Sequence, residues 1–223
     1  MLGTTLTAPP AAEHASRCEL PPDVLAFILQ PLLGDVASLC AAACIARAWR
    51  DAVASPLLWT RIGPLPPAAA ARLTDARLIQ LVGRAQGGLQ HLDLSDVSGC
   101  CLTNAGLFAA LRRESLLSFA ANGEPLTGSG IVAALAGGSR GRVRELRVCG
   151  VPAIAPAFAD GHYLDDHVHW LGCMCTLNAL NGLLAPGGVL DASAPCGLTM
   201  KGRQRLCARM VTGGMPCVLC RTE

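Results

Sequence analysis

The run from Glu19 to Ile62, ELPPDVLAFILQPLLGDVASLCAAACIARAWRDAVASPLLWTRI, constrains this chain more than any other feature, because its apolar residues outnumber what so small a core needs. Pro21 and Pro22 stand where a helix opens, a place where a missing N–H costs nothing and a fixed φ helps. Val24, Leu25, Ile28, Leu29 and Leu32 follow at helical spacing. Gly34 stops that helix and Asp35 is placed to cap a second one running through Leu39 to Cys44. Ala46 to Val53 suits a third helix carrying Trp49, ended by Ser55-Pro56 and closed by Leu58-Trp59. A unit this short lies near the size, about 40 residues, below which a chain rarely folds unaided. Its apolar surplus reads as a docking face, although the spacing alone also suits an ordinary three-helix bundle.

In order and spacing, Leu20-Pro21-x-Asp23-Val24-Leu25, Ile28-Leu29, Leu39, Ile45-Ala46-Arg47-x-Trp49-Arg50 and Leu58-Trp59 resemble the F-box. Two residues depart from the family pattern. Ala46 stands where Cys is frequent, and Pro31 falls inside the first helix, where its ring would press on the carbonyl of Phe27 and force a kink or an early stop. The resemblance implies a domain over 19–62 that packs Leu20, Pro21, Val24, Leu25, Ile28, Leu29 and Trp49 on a Skp-family adaptor, and through it meets a cullin.

Downstream, the chain repeats itself. Leu73-Thr-Asp-Ala-Arg-Leu78, Leu102-Thr-Asn-Ala-Gly-Leu107 and Leu126-Thr-Gly-Ser-Gly-Ile131 recur at spacings of 29 and 24 residues. Each is followed by a strand pattern: Leu89-x-x-Leu92-x-Leu94, Leu116-x-x-Phe119-x-Ala121 and Val143-x-x-Leu146-x-Val148. These segments resemble leucine-rich repeats, so about three of them are expected over 73–154. Val97, Glu124 and Val151 occupy the position where that family places Asn or Cys to bond the turn backbone, which makes the turns degenerate. In such a repeat the leucines enter a shared core while the intervening strand positions face out. The open face would then carry Gln90, His91 and Asp93, next Leu117, Ser118 and Ala120, and last Arg144, Glu145 and Arg147. Gln90, His91, Asp93, Ser118, Arg144, Glu145 and Arg147 are the residues expected to meet a target, though any one of them also suits a solvated strand position.

From Ala155 onward the periodicity stops, and 155–223 reads as a Cys-rich segment of unknown fold. His162, His167, His169, Cys173, Cys175, Cys196, Cys207, Cys217 and Cys220 include one tight pair, Cys217-x-x-Cys220, with zinc-clasping spacing. A second matched pair is missing, so no structural metal or other cofactor is expected. Cys175-Thr-Leu-Asn-Ala-Leu-Asn-Gly-Leu-Leu184 resembles the nucleophile helix of papain-like deubiquitinating peptidases of the Josephin type. That family draws its base from downstream, however, and the chain has no His after Cys175, while Trp170 stands in place of an oxyanion-stabilising Gln. A buried helix followed by a loose tail accounts for the same residues, and no catalytic residue is expected.

Composition narrows the classes further. The chain is 52% hydrophobic and 15% charged, which favours buried structure over wholesale disorder. A net charge of +2 carries no demand for nucleic acid as a partner, and 17 of the 18 basic residues are Arg, in keeping with a composition rich in Ala, Gly and Pro. Residues 1–18 read as a disordered leader without a signal sequence. The apolar stretch from Trp170 to Ala185 is interrupted by Asn178 and Asn181 and is too short to span a membrane. Twelve cysteines then read as reduced thiols in the cytoplasm or nucleus.

The expected fold is therefore α+β: a three-helix F-box, a short α/β leucine-rich-repeat solenoid, and a poorly defined Cys-rich end. The implied role is a non-catalytic substrate receptor of a Skp–cullin–F-box ubiquitin ligase, acting by proximity. A ubiquitin-directed cysteine peptidase remnant and a repeat scaffold outside any ligase are the alternatives.

Overall fold

The computed structural model describes residues 20–97, 100–122, 126–149, 151, 175–176 and 178–191. The leader, Glu124 and the histidines and cysteines at 162, 167, 169, 173, 196, 207, 217 and 220 lie outside these.

The first helix, α1 (Pro22–Leu29), begins with Pro22 in its first turn and gives way at Pro31 to a 3-10 turn over Gln30–Leu32, the early stop that the proline ring imposes. Helix α2 (Val36–Ala43) is capped by Asp35, whose carboxylate accepts from the Ser38 N–H at 3.0 Å and from its hydroxyl at 2.6 Å. Both bonds favour the charged form and hold the Asp35 carboxyl below its ordinary value. Helix α3 (Arg47–Val53) packs on both α1 and α2. A 3-10 turn, Pro56–Trp59, then buries Leu58 and Trp59, with the indole N–H of Trp59 donating to the Val53 carbonyl at 2.7 Å. Trp59 thereby ties the end of the third helix to the start of the sheet.

Among the described residues that sheet has five parallel strands in chain order: β1 (Arg61–Ile62), β2 (His91–Leu94), β3 (Ser118–Asn122), β4 (Val143–Cys149) and β5 (Leu184–Asp191). Parallel neighbours need crossovers. A short helix α4 (Pro67–Ala70) and helix α5 (Asp75–Gly83) separate β1 from β2, α6 (Asn104–Leu111) separates β2 from β3, and α7 (Gly128–Ala136) separates β3 from β4. Helix α5 packs on α6 and α6 on α7, so each strand–helix unit rests on the one before. Between the layers, Ile62, Leu92, Phe119, Leu146 and Leu190 lie in register across the sheet, all buried, within one core that also takes in Leu25, Leu29, Leu39 and Trp59 of the helical unit.

Two polar ladders fix the spacing of the units. At the helix starts, Thr74, Thr103 and Thr127 cap α5, α6 and α7, each accepting from a backbone N–H three residues on. The Asp75 carboxylate reaches forward to accept from the N–H and hydroxyl of Thr103, at 2.8 and 2.7 Å. Asn104 does the same for Thr127, accepting from its N–H and donating to its hydroxyl, both at 3.0 Å. The receiving positions must then be glycine: a Cβ on Gly106 would lie 2.0 Å from the Asp75 carboxyl carbon, and one on Gly130 2.1 Å from Asn104 Oδ1. At the strand starts, the Leu89 N–H donates to Glu114 Oε2 at 3.2 Å and the Leu116 N–H to Ser139 Oγ at 2.9 Å, both side chains coming from the following unit.

Among the described residues beyond 155, 175–176 and 178–181 are helical, as one reading of that stretch expected, while Leu184–Asp191 adds an unforeseen fifth strand beside β4. The register slips between Val143 and Glu145, where Leu184-Ala-Pro-Gly-Gly-Val-Leu-Asp191 accommodates Pro186 and Gly187, whose φ is +76°. Pro and Gly belong at sheet edges and irregularities, and they conceal the strand in the sequence.

Candidate protein-docking surfaces

On the helical unit, α1 divides its apolar residues between two faces. Leu25 and Leu29, four residues apart, are each 3% exposed and belong to the interior, in contrast to their expected place on the docking face. Val24, Phe27 and Ile28 share the other stripe, at 42, 69 and 47% exposure, and Leu20 continues it at 46%. Trp49 is half-buried against the core, and Pro21 is exposed. The outward set is thus Leu20, Pro21, Val24 and Ile28, enlarged by Phe27 and, elsewhere on the unit, by Ile45 at 68% and Leu57 at 71%. Spacing alone does not single out Phe27, because the apolar residues of α1 belong to two stripes and not to one. The offset of about 100° per residue separates 25 and 29 from 24, 27 and 28. An exposed cluster of this composition is what a partner covers.

On the sheet, the strand residues opposite the core form cross-strand rows. His91, Ser118 and Glu145 are aligned, as are Asp93, Ala120 and Arg147, while Gln90, Leu117 and Arg144 stand at the strand mouths, where Leu117 N–H donates to the Gln90 carbonyl and Arg144 N–H to the Leu117 carbonyl, both at 2.7 Å. Parts of this face are internally occupied. Asp93 accepts from the backbone N–H and hydroxyl of Ser95, and Arg147 pairs with Glu145. Burial, and secondarily the Arg61 guanidinium, hold the His91 imidazole below its ordinary pKa, with Glu145 partly opposing them, which favours a neutral ring. Gln90, His91, Ser118 and Arg144 remain as groups able to bond a ligand. The sequence reading assembled these residues on one surface because a strand alternates sides.

Cys175, in the helical residues before β5, is exposed. His162, His167 and His169 lie outside the described residues, so the peptidase-like arrangement gains no support from this geometry. Among the described residues no group of three His, Cys, Asp or Glu side chains is placed to hold a metal ion, and no helix is long and apolar enough to cross a membrane.

No curated protein matches the chain. The F-box-like family model matches residues 18–63, which is the helical unit together with β1. The N-terminal unit of this chain is an F-box-like domain, a module that generally docks on Skp-family adaptors and is typically non-catalytic.

Proposed function

We propose that this protein is a substrate-receptor subunit of a Skp–cullin–F-box ubiquitin ligase. In this reading the F-box-like domain docks on the adaptor, and residues 73–154 are leucine-rich repeats whose open face holds the target. The observation that carries the reading is the exposed stripe Leu20, Val24, Phe27 and Ile28 on a domain of matching family. Covering it removes apolar surface from water at about 25 cal/mol per Å². Parallel strands and helices stacked in chain order support the repeat assignment, since the packing of strand on strand and helix on helix runs between successive units.

Such a subunit makes no bonds itself. It raises the effective concentration of target lysines beside the charged ubiquitin-conjugating enzyme. It would work in the cytoplasm or nucleus, with protein partners alone. Affinity purification of the tagged full-length chain from cells tests this: the adaptor and a cullin should be recovered with it, and Ile28→Asp should lose both. Recovery of neither with the unaltered chain would count against the receptor assignment.

A further inference from the structure

The end of the sheet at which the strands begin carries a row of arginines that pair with no carboxylate among the described residues. Arg84 and Arg112 stand at the C-caps of α5 and α6, Arg113 follows, Arg140 and Arg142 lie in the turn between α7 and β4, and Arg144 enters β4. All six are exposed. The ion pair found among the described residues is Arg147 with Glu145, which takes in none of them. Glu114, the acidic residue in these three connections, is 6% exposed and turned inward to the Leu89 N–H. Acidic side chains collect at the opposite end, where Asp75 opens α5, Asp96 follows β2 and Asp191 closes β5.

Stacking sets the spacing of this row. Adjacent strands lie about 4.8 Å apart and adjacent helices about 8–10 Å. The charges are therefore separated by roughly one Debye length, about 8 Å at physiological salt, and repel one another. Arginine at a helix C-cap offsets the macrodipole, which accounts for Arg84 and Arg112 but not for Arg113, Arg140, Arg142 and Arg144. Two guanidinium groups are already oriented: Arg84 lies 4.6 Å over the Trp59 ring, and Arg142 Nη1 donates to Ser115 Oγ at 3.1 Å.

We propose that this arginine rim is a docking surface for an acidic segment of a partner protein, a stretch rich in Glu, Asp or phosphoserine laid across three successive turns. Carboxylate and phosphate suit the planar two-pronged donor of Arg. The three connections contain no aromatic side chain on which bases would stack, and no apolar residue large enough to enter a bilayer is exposed in them. The rim adds to the receptor reading without depending on adaptor docking, because it is tested on the chain alone.

The test is fluorescence anisotropy of the full-length chain with a labelled peptide of alternating Glu and Ser. A Lys-for-Glu peptide, an oligouridine and anionic phosphatidylserine vesicles serve as comparisons. The acidic peptide should bind, more weakly as salt rises to about 0.5 M. The triple variant Arg112→Glu, Arg113→Glu, Arg140→Glu should lose about tenfold or more in affinity, while Arg47→Glu, on the F-box-like domain, leaves it unchanged. If the triple variant does not fold, Arg113→Gln and Arg140→Gln should each weaken binding about two- to threefold. Equal binding by these variants, or tighter binding of oligouridine or vesicles than of the acidic peptide, would overturn the proposal.

Discussion

Gly106 and Glu114 show how much of this fold is decided by single atoms. Gly106 has no room for a methyl group because the Asp75 carboxyl group occupies its place while binding Thr103. Gly106→Ala should therefore expel Asp75, break both bonds to Thr103, and cost about 1–3 kcal/mol in urea unfolding. Arg77, at the corresponding place in the first unit, instead turns its exposed side chain back to donate from Nη1 to the Arg72 carbonyl at 2.8 Å, and Arg77→Ala should cost only the loss of that bond, about 0.5–1 kcal/mol. Glu114 is a buried acceptor. Glu114→Ala orphans the Leu89 N–H and should cost about 1–3 kcal/mol, whereas Glu114→Gln keeps an acceptor without a charge and should be at least as stable as the unaltered chain at neutral pH. The sign follows from burial, which raises the folded-state pKa of Glu114 above its unfolded value despite the opposing Leu89 bond. The charged form thus opposes folding above the folded pKa, and that cost fades as pH falls through it. The Gln variant's advantage should shrink between neutral pH and the ordinary glutamate range; an advantage that grew on acidification would contradict this.

At the level of elements, helix α1 separates folding from docking. Leu25→Asp buries a charge inside the domain and should abolish its helical circular dichroism signal together with adaptor binding, whereas Ile28→Asp or Phe27→Asp should leave the signal intact and remove binding alone. Loss of folding in Ile28→Asp would show that this stripe is internal. The elements differed in how openly their residues declared them. Asp35 as a cap, Pro31 as a stop and the Leu-Thr-x-x-x-Leu helix openings were legible because each acts within one turn of chain. The division of α1 into two stripes was not, because apolar character does not say which neighbour a side chain meets. Strand β5 was hidden for a different reason. Its pairing is supplied by β4, forty residues earlier in the chain by way of contacts such as Val143 with Leu184, and its own Pro-Gly-Gly argues against a strand.

Considered whole, the molecule is an F-box-like domain whose core continues into a parallel stack, with Trp59 and β1 at the join. The ladder of forward-reaching side chains runs from Asp75 to Thr103 and from Asn104 to Thr127; the next equivalent position is Gly128, which has no side chain to extend it. The residues on the open face of the sheet were legible as a surface because sheet periodicity groups them, but their internal pairings, Asp93 with Ser95 and Arg147 with Glu145, depend on geometry that spacing alone does not carry. The proposed adaptor docking belongs to the other end of the molecule, and titration calorimetry of the purified full-length chain with a purified Skp-family adaptor measures it. A one-to-one complex should form with a negative heat-capacity change, as expected when an interface of about 1,200–2,000 Å² covers an apolar stripe, and should be lost in Ile28→Asp. A folded chain that gives no heat of binding with the adaptor at any temperature, and does not co-elute with it, would contradict that docking.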